Sequence, residues 1–135
     1  KKREKLIVNG DKFKTKDGTT IRDYIHVSDL ADMHRIVSED LLKESSNGYK
    51  IFNCGYGKGH SILEVINCMS KIINKEIHYT IGSNRPGDSE ISIADVKKFK
   101  NKFNWKPKFD SLEIILKTAL EWEKKIWLYY CQNLY

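Results

Sequence analysis

Arg22, Arg85 and Asp88 are the residues of this chain whose types and settings suit a phosphorylated ligand. Arg22 sits inside Thr20-Ile21-Arg22-Asp23-Tyr24-Ile25-His26-Val27-Ser28-Asp29, where a strand-like run meets a helix start. Its planar guanidinium fork matches the oxygens of a phosphate. An ordinary strand-to-helix corner carrying a surface arginine fits the same residues. Arg85 and Asp88 lie three residues apart in Gly82-Ser83-Asn84-Arg85-Pro86-Gly87-Asp88. An arginine clamping a diphosphate beside a carboxylate that accepts from vicinal hydroxyls would suit a nucleoside diphosphate. The alternative for that loop is a surface ion pair, which contributes little.

Other constellations carry less chemistry. His26, Asp29, Asp32 and His34 hint at a metal, but no cysteine or glutamate closes the set, and a metal needs convergent ligands. The two aspartates fall in a first helical turn, where the helix dipole favours acids. Capping and a solvated surface are the expectation there, and no metal site is expected. Gly55-Tyr56-Gly57-Lys58-Gly59 lacks the Gly-x-Gly-x-x-Gly spacing of a dinucleotide loop, and Lys58 is followed by Gly59, not Ser or Thr. A tight turn is expected instead. Cys54, Cys68 and Cys131 are widely spaced and odd in number, against a disulfide framework and in keeping with a reducing compartment.

The net charge is +6, yet the lysines are interleaved with acids. A solvated surface or a small anionic ligand accounts for that better than nucleic acid. No apolar run approaches the ~20 residues that span a bilayer, and no signal peptide is visible. A cytoplasmic protein without nucleic-acid or membrane partners is expected.

The elements that must position these groups follow from hydrophobic period. Leu6-Ile7-Val8 reads as a strand entering the Asn9-Gly10-Asp11 turn. Residues 20–27 read as a second strand, and Ser28 to about Lys43 as a helix with a Leu30, Met33, Ile36 or Val37, Leu41 stripe, ended by Asn47-Gly48. Tyr49 to Cys54 reads as a strand. Ser61 and Glu64 form a capping box for a helix with Ile62, Val65, Ile66, Met69, Ile72 and Ile73 on its apolar face. A strand follows at Ile77 to Ile81, and residues 89–94 run extended. Asp95 opens a short helix that turns Val96, Phe99 and Phe103 inward and its lysines to water, ended before Pro107. Asp110 and Glu113 start a last helix with Leu112, Ile115, Leu116, Ala119, Trp122 and Ile126 buried.

The stretch Asp17 to Ala31 resembles the corresponding segment of UDP-glucose 4-epimerases, in the extended short-chain dehydrogenase/reductase superfamily. The likeness continues through Asn53-Cys54-Gly55-Tyr56-Gly57-Lys58-Gly59-His60-Ser61, Arg85-Pro86-Gly87-Asp88 and Trp105-Lys106-Pro107, and runs to Trp122. The motifs stand in the family's order but correspond only to its C-terminal part. The resemblance implies interconversion of UDP-glucose and UDP-galactose, with tightly held NAD oxidising the sugar at C4 and returning the hydride to its other face. That chemistry needs a Gly-x-x-Gly-x-x-Gly loop and a Tyr-x-x-x-Lys pair, and neither occurs in these 135 residues.

The expectation is therefore an α/β fold of mixed strands and helices. Residues 1–135 would be the nucleotide-sugar-binding segment, lacking most of a Rossmann-like sheet. The NAD-binding domain would lie outside this chain, and the segment would not catalyse alone. The resemblance places Arg22 and Arg85 on the diphosphate, Asp88 on the ribose hydroxyls, and Tyr24 and Ile62 around the nucleotide. It sets Val8 and Asn9 against uracil, with Asn9 standing where a Phe is common. It puts Ser92 beside the sugar, where a small residue would leave room for an N-acetyl group. It implies a homodimer for the full-length protein. A related dehydratase or decarboxylase, or a noncatalytic nucleotide- or nucleic-acid-binding remnant, are the alternatives.

Overall fold

A computed structural model describes residues 5–43 and 49–132, with side chains to Tyr129. In chain order the elements are β1 (Leu6–Asn9), β2 (Ile21–Arg22), α1 (Val27–Lys43), β3 (His60–Ser61), α2 (Ile62–Ile73), β4 (Tyr79–Gly82), β5 (Ile91–Ser92), α3 (Lys97–Phe103) and α4 (Leu112–Gln132). This is the mixed α/β architecture expected. β1 and β4 form a parallel pair in register from Leu6↔Tyr79 to Asn9↔Gly82. A second sheet has the order β3-β2-β5, antiparallel between β2 and β3 and parallel between β2 and β5.

The core gathers where α1, α3 and the 105–109 segment meet. Met33 and Phe99 are fully buried, with Tyr56 and Trp105 beside them. Phe99 meets Trp105 edge-on at 5.8 Å and Phe103 at 4.8 Å. Side chains of this size stabilise by about 1.5–3 kcal/mol each when fully buried. α2 packs on the first half of α4, where Leu116 is buried.

Asp29 is the clearest departure from the sequence reading, which put it on a solvated first turn. It is 1% exposed and accepts hydrogen bonds from Tyr56 Oη at 2.6 Å, Lys108 N at 3.1 Å and Phe109 N at 2.9 Å. Its carboxylate ties α1 to the 55–59 turn and to the segment before α4. The Tyr56 phenol is pushed far above its ordinary pKa by burial, and then by the Asp29 carboxylate that accepts from it. His26 is also buried, stacked on Phe109 at 4.5 Å. Its Nδ1 accepts from Ser28 N at 3.1 Å and its Nε2 faces Thr118 Oγ1 at 2.9 Å, so the ring caps α1 in place of Ser28 and fixes the neutral tautomer protonated at Nε2.

The strand expected over residues 20–27 shortens to Ile21–Arg22; Asp23 N still donates to Ser92 O at 3.1 Å, while its carboxylate accepts from the amides of Tyr56 and Gly57. Tyr49 to Cys54 pairs with no strand among the described residues; Phe52 instead packs on Phe99 and Phe103. Asn47-Gly48 lies outside the described residues. Leu41, Ile73, Ala119 and Trp122, expected on buried stripes, are exposed, since helical period marks a face without saying what covers it. The α3 lysines are less solvated than expected: Lys98 and Lys100 donate to Ile51 O and Tyr56 O, and Lys102 pairs with Asp40. Asp110 pairs with Lys58 at 2.7 Å and leaves the start of α4 to Ser111, whose carbonyl accepts from Ile115 N.

Asp29→Ala orphans three donors, the buried Tyr56 hydroxyl and the part-buried amides of Lys108 and Phe109, and urea unfolding should show a loss of roughly 3 kcal/mol. Arg35→Ala, which breaks only exposed pairs with Asp32 and Glu39, should cost under ~1 kcal/mol in the same assay. Glu64 closes the capping box of α2, accepting from Ser61 N at 2.8 Å, and its carboxyl is held below the ordinary range, chiefly by the Lys16 ammonium and then by that amide. A depressed folded-state pKa stabilises while the group is ionised. The stability gap between wild type and Glu64→Gln should therefore be full above about pH 4.3 and close as pH falls through the folded-state value.

Candidate functional site

Three short elements converge on one cavity. β1 delivers Ile7, Val8 and Asn9, with Val8 buried, and ends at Gly10, whose φ of 87° suits a glycine. β4 runs alongside it and releases the chain into residues 83–88. There Arg85-Pro86-Gly87-Asp88 closes a turn in which Asp88 N donates to Arg85 O at 3.2 Å. Proline presets φ at the second position and Gly87 takes φ 83° at the third, as a type II turn requires. This turn is why the three-residue spacing brings an arginine and a carboxylate to one place. Arg22 arrives from β2, and Ile62 from the capped start of α2.

The resulting cavity measures ≈ 300 Å³ and is lined by Ile7, Val8, Asn9, Gly10, Thr20, Arg22, Ile62, Arg85 and Asp88. Its two cations come from chain segments more than sixty residues apart. Arg22 Nη1 donates to Ile21 O at 2.8 Å, and Nη2 lies 3.7 Å from Asp88 Oδ1. With its amide oriented by its neighbours, Asn9 Oδ1 accepts from Arg85 Nε at 3.1 Å and Nη2 at 2.8 Å. An apolar wall from Val8 and Ile62 facing two guanidinium groups and one carboxylate is the composition of a site for a flat apolar ring joined to an anion.

Of the residues the sequence singled out, Val8, Asn9, Arg22, Ile62, Arg85 and Asp88 line this cavity. Ser92 does not. It pairs with Arg22 across β2 and β5 and lines a neighbouring open depression of ≈ 660 Å³, which also has Arg22 on its wall. Tyr24 lines neither; it is half-buried, and burial raises its phenol pKa while the Arg22 charge opposes the rise. The sequence reading overlooked Thr20, a buried wall residue, and Asp23. Asp23 Oδ1 accepts from Tyr56 N at 3.1 Å, and Oδ2 from Gly57 N at 2.9 Å and Ala94 N at 3.3 Å. An aspartate inside a strand-like run, where it is disfavoured, was the signal for that role.

The 55–59 glycines do not cradle a dinucleotide. A Cβ on Gly55 would come within 2.6 Å of Asp23 Oδ2, and one on Gly59 within 2.4 Å of Ile21 Cγ2. These glycines admit close packing of the chain on itself; α2 begins soon after them at Ile62, but β3 intervenes and the Ser61–Glu64 capping box closes its first turn. Among the described residues no three His, Cys, Asp or Glu side chains converge to hold a metal, and no helix is long and apolar enough to cross a membrane.

No family model matches the chain. It is 38% identical over 125 residues to the UDP-glucose 4-epimerase of Azospirillum brasilense, covering 93% of this chain and 35% of that protein. It is similar in structure to the UDP-glucose 4-epimerase of Bifidobacterium longum in complex with NAD+ and UDP, with a TM-score of 0.82 and 36% identity, covering 91% of this chain and 36% of that one. The UDP-Glc/GlcNAc 4-epimerase of Campylobacter jejuni matches with a TM-score of 0.78 and 42% identity, over 91% of this chain and 36% of that one. The chain thus spans about a third of the length of the relatives it matches. Over more than nine-tenths of its length the chain is similar to the C-terminal part of UDP-glucose 4-epimerases.

Proposed function

We propose that this chain is the nucleotide-sugar-binding segment of a UDP-glucose 4-epimerase, an isomerase that interconverts UDP-glucose and UDP-galactose. The convergence of Arg22, Arg85, Asp88 and Ile62 on one cavity carries the reading. Arg22 and Arg85 hold the diphosphate, Asp88 accepts from the ribose hydroxyls, and Val8 and Ile62 enclose the base. Such remote binding energy anchors the nucleotide while the sugar turns, and so serves the reaction without touching the reacting carbon. Tyr24, behind Arg22, borders the nucleotide only through that arginine.

The sugar lies toward Ser92, on the far side of Arg22 in the second depression. A serine there leaves space for an N-acetyl group, and the name of the Campylobacter jejuni relative includes the acetylated sugar. We infer that the complete enzyme accepts UDP-N-acetylglucosamine as well. Its NAD, which supplies hydride transfer when bound, is held by residues outside this chain, and the segment alone is inactive. The complete protein is a cytoplasmic homodimer with no nucleic-acid or membrane partner. Val27, Tyr49 and Ile51 are highly exposed here, as apolar residues that pack against a further domain would be.

Calorimetry of the chain with UDP, and in parallel with single-stranded RNA at several salt concentrations, tests the assignment. UDP should bind with little salt dependence; steeply salt-dependent RNA binding without UDP heat would overturn the reading. Arg85→Ala should weaken UDP by ~2 kcal/mol, the scale of a charge-assisted hydrogen bond. Lys98→Ala, remote from the cavity, should leave affinity unchanged. The complete enzyme should turn over UDP-N-acetylglucosamine as well as UDP-glucose, and turnover of UDP-glucose alone would refute the role given to Ser92.

A further inference from the structure

Arg85 is an exposed side chain at the lip of the cavity, and such a group loses rotamer freedom when it grips a ligand. Asn9 removes part of that freedom in advance. The Nε and Nη2 donors that it engages lie along one edge of the guanidinium, so the edge carrying Nη1 is left for an oxyanion.

Asn9 is itself held in place. It sits opposite Gly82 at the end of the β1–β4 ladder, and Gly10 N donates to Gly82 O at 3.1 Å. A Cβ on Gly10 would fall 1.9 Å from Asn84 Oδ1, so the loop bearing Arg85 rests directly on the turn after Asn9. The acceptor is also neutral. A carboxylate in its place would orient the guanidinium and cancel its charge, whereas an amide orients it alone. Arg22 has Asp88 as a carboxylate neighbour at 3.7 Å, but among the described residues Arg85 has none within ion-pair distance.

We propose that Asn9 is a positioning residue of the diphosphate site, aiming Arg85 across the cavity while leaving its charge uncompensated for the ligand. This role rests on the nucleotide-binding reading above. It gives Asn9 an effect on the phosphates through Arg85, separate from any contact with the base.

Titration with UDP of the wild-type chain, Asn9→Ala, Arg85→Ala and the double variant tests it. Asn9→Ala should weaken UDP about tenfold with Arg85 present, the size of coupling usual between contacting groups. With Arg85 already alanine it should change affinity by less than about twofold. Equal losses in both backgrounds would make Asn9 a base contact or a prop of the fold, and no loss in either would make it idle; both overturn the proposal. Asn9→Leu keeps a similar shape without the acceptor and should match Asn9→Ala, and wild-type affinity in it would overturn the proposal equally. If the wild-type chain binds no UDP, the nucleotide reading fails and this inference with it, an outcome distinct from additive losses in a chain that binds.

Discussion

The carboxylate of Asp23 takes hydrogen bonds from three backbone amides, those of Tyr56, Gly57 and Ala94, and much of the site stands on that arrangement. β2 and β5 are only two residues each, too short to hold one another by ladder bonds alone. A charged acceptor makes stronger bonds than a carbonyl does, and this one links β2, the glycine turn and the end of β5 at a single point. Since Arg22 immediately precedes it, the backbone that carries the arginine is fixed by the same three contacts. Asp29 repeats the device farther along, binding the amides of Lys108 and Phe109 and the phenol of Tyr56. Carboxylates here replace part of the sheet.

That substitution divides the acids of the chain by task. Asp23 and Asp29 spend their lone pairs on the protein's own donors. Asp88, by contrast, sits on a tight turn with Arg22 no closer than 3.7 Å, so its oxygens keep capacity for a ligand. The cations divide in the same way. Lys16, Lys58 and Lys102 are engaged with Glu64, Asp110 and Asp40, while in the cavity Arg85 is held by the Asn9 amide oxygen, which orients charge without removing it, and Arg22 by the Ile21 carbonyl with Asp88 at 3.7 Å. Two of the chain's cations thus stand together at one small cavity.

Much of this was legible in the residues. The capping box at Ser61 and Glu64 and most of the apolar face of α2 are local features, specified by neighbours in sequence, and appear where expected. The joining of Arg22 to Arg85 was legible only through family resemblance, because nothing local says which distant loop a strand will meet. Asp29 was misread for a related reason. Its position in a first turn is an adequate local explanation, and the partners that bury it come from residues 56, 108 and 109. Tyr49 to Cys54 has the composition of a strand but no strand beside it among the described residues, and composition specifies a pleated surface without supplying its neighbour. Trp122 followed the helical period faithfully; the period marks a face, but not how far the covering element extends.

The parallel pairing of β1 with β4 bears on how the cavity comes into being. Leu6 meets Tyr79 across that ladder, so its first hydrogen bonds close a loop on the order of seventy residues before they contribute any stability. A parallel ladder cannot be assembled by a hairpin, and contacts of such long range form slowly. One wall and the floor of the cavity are therefore products of nearly complete assembly of the chain's first half, not of any local segment. Occupancy of the cavity would report that assembly directly: a ligand can select only molecules in which that distant closure has already occurred, and its binding energy then weighs against reopening it.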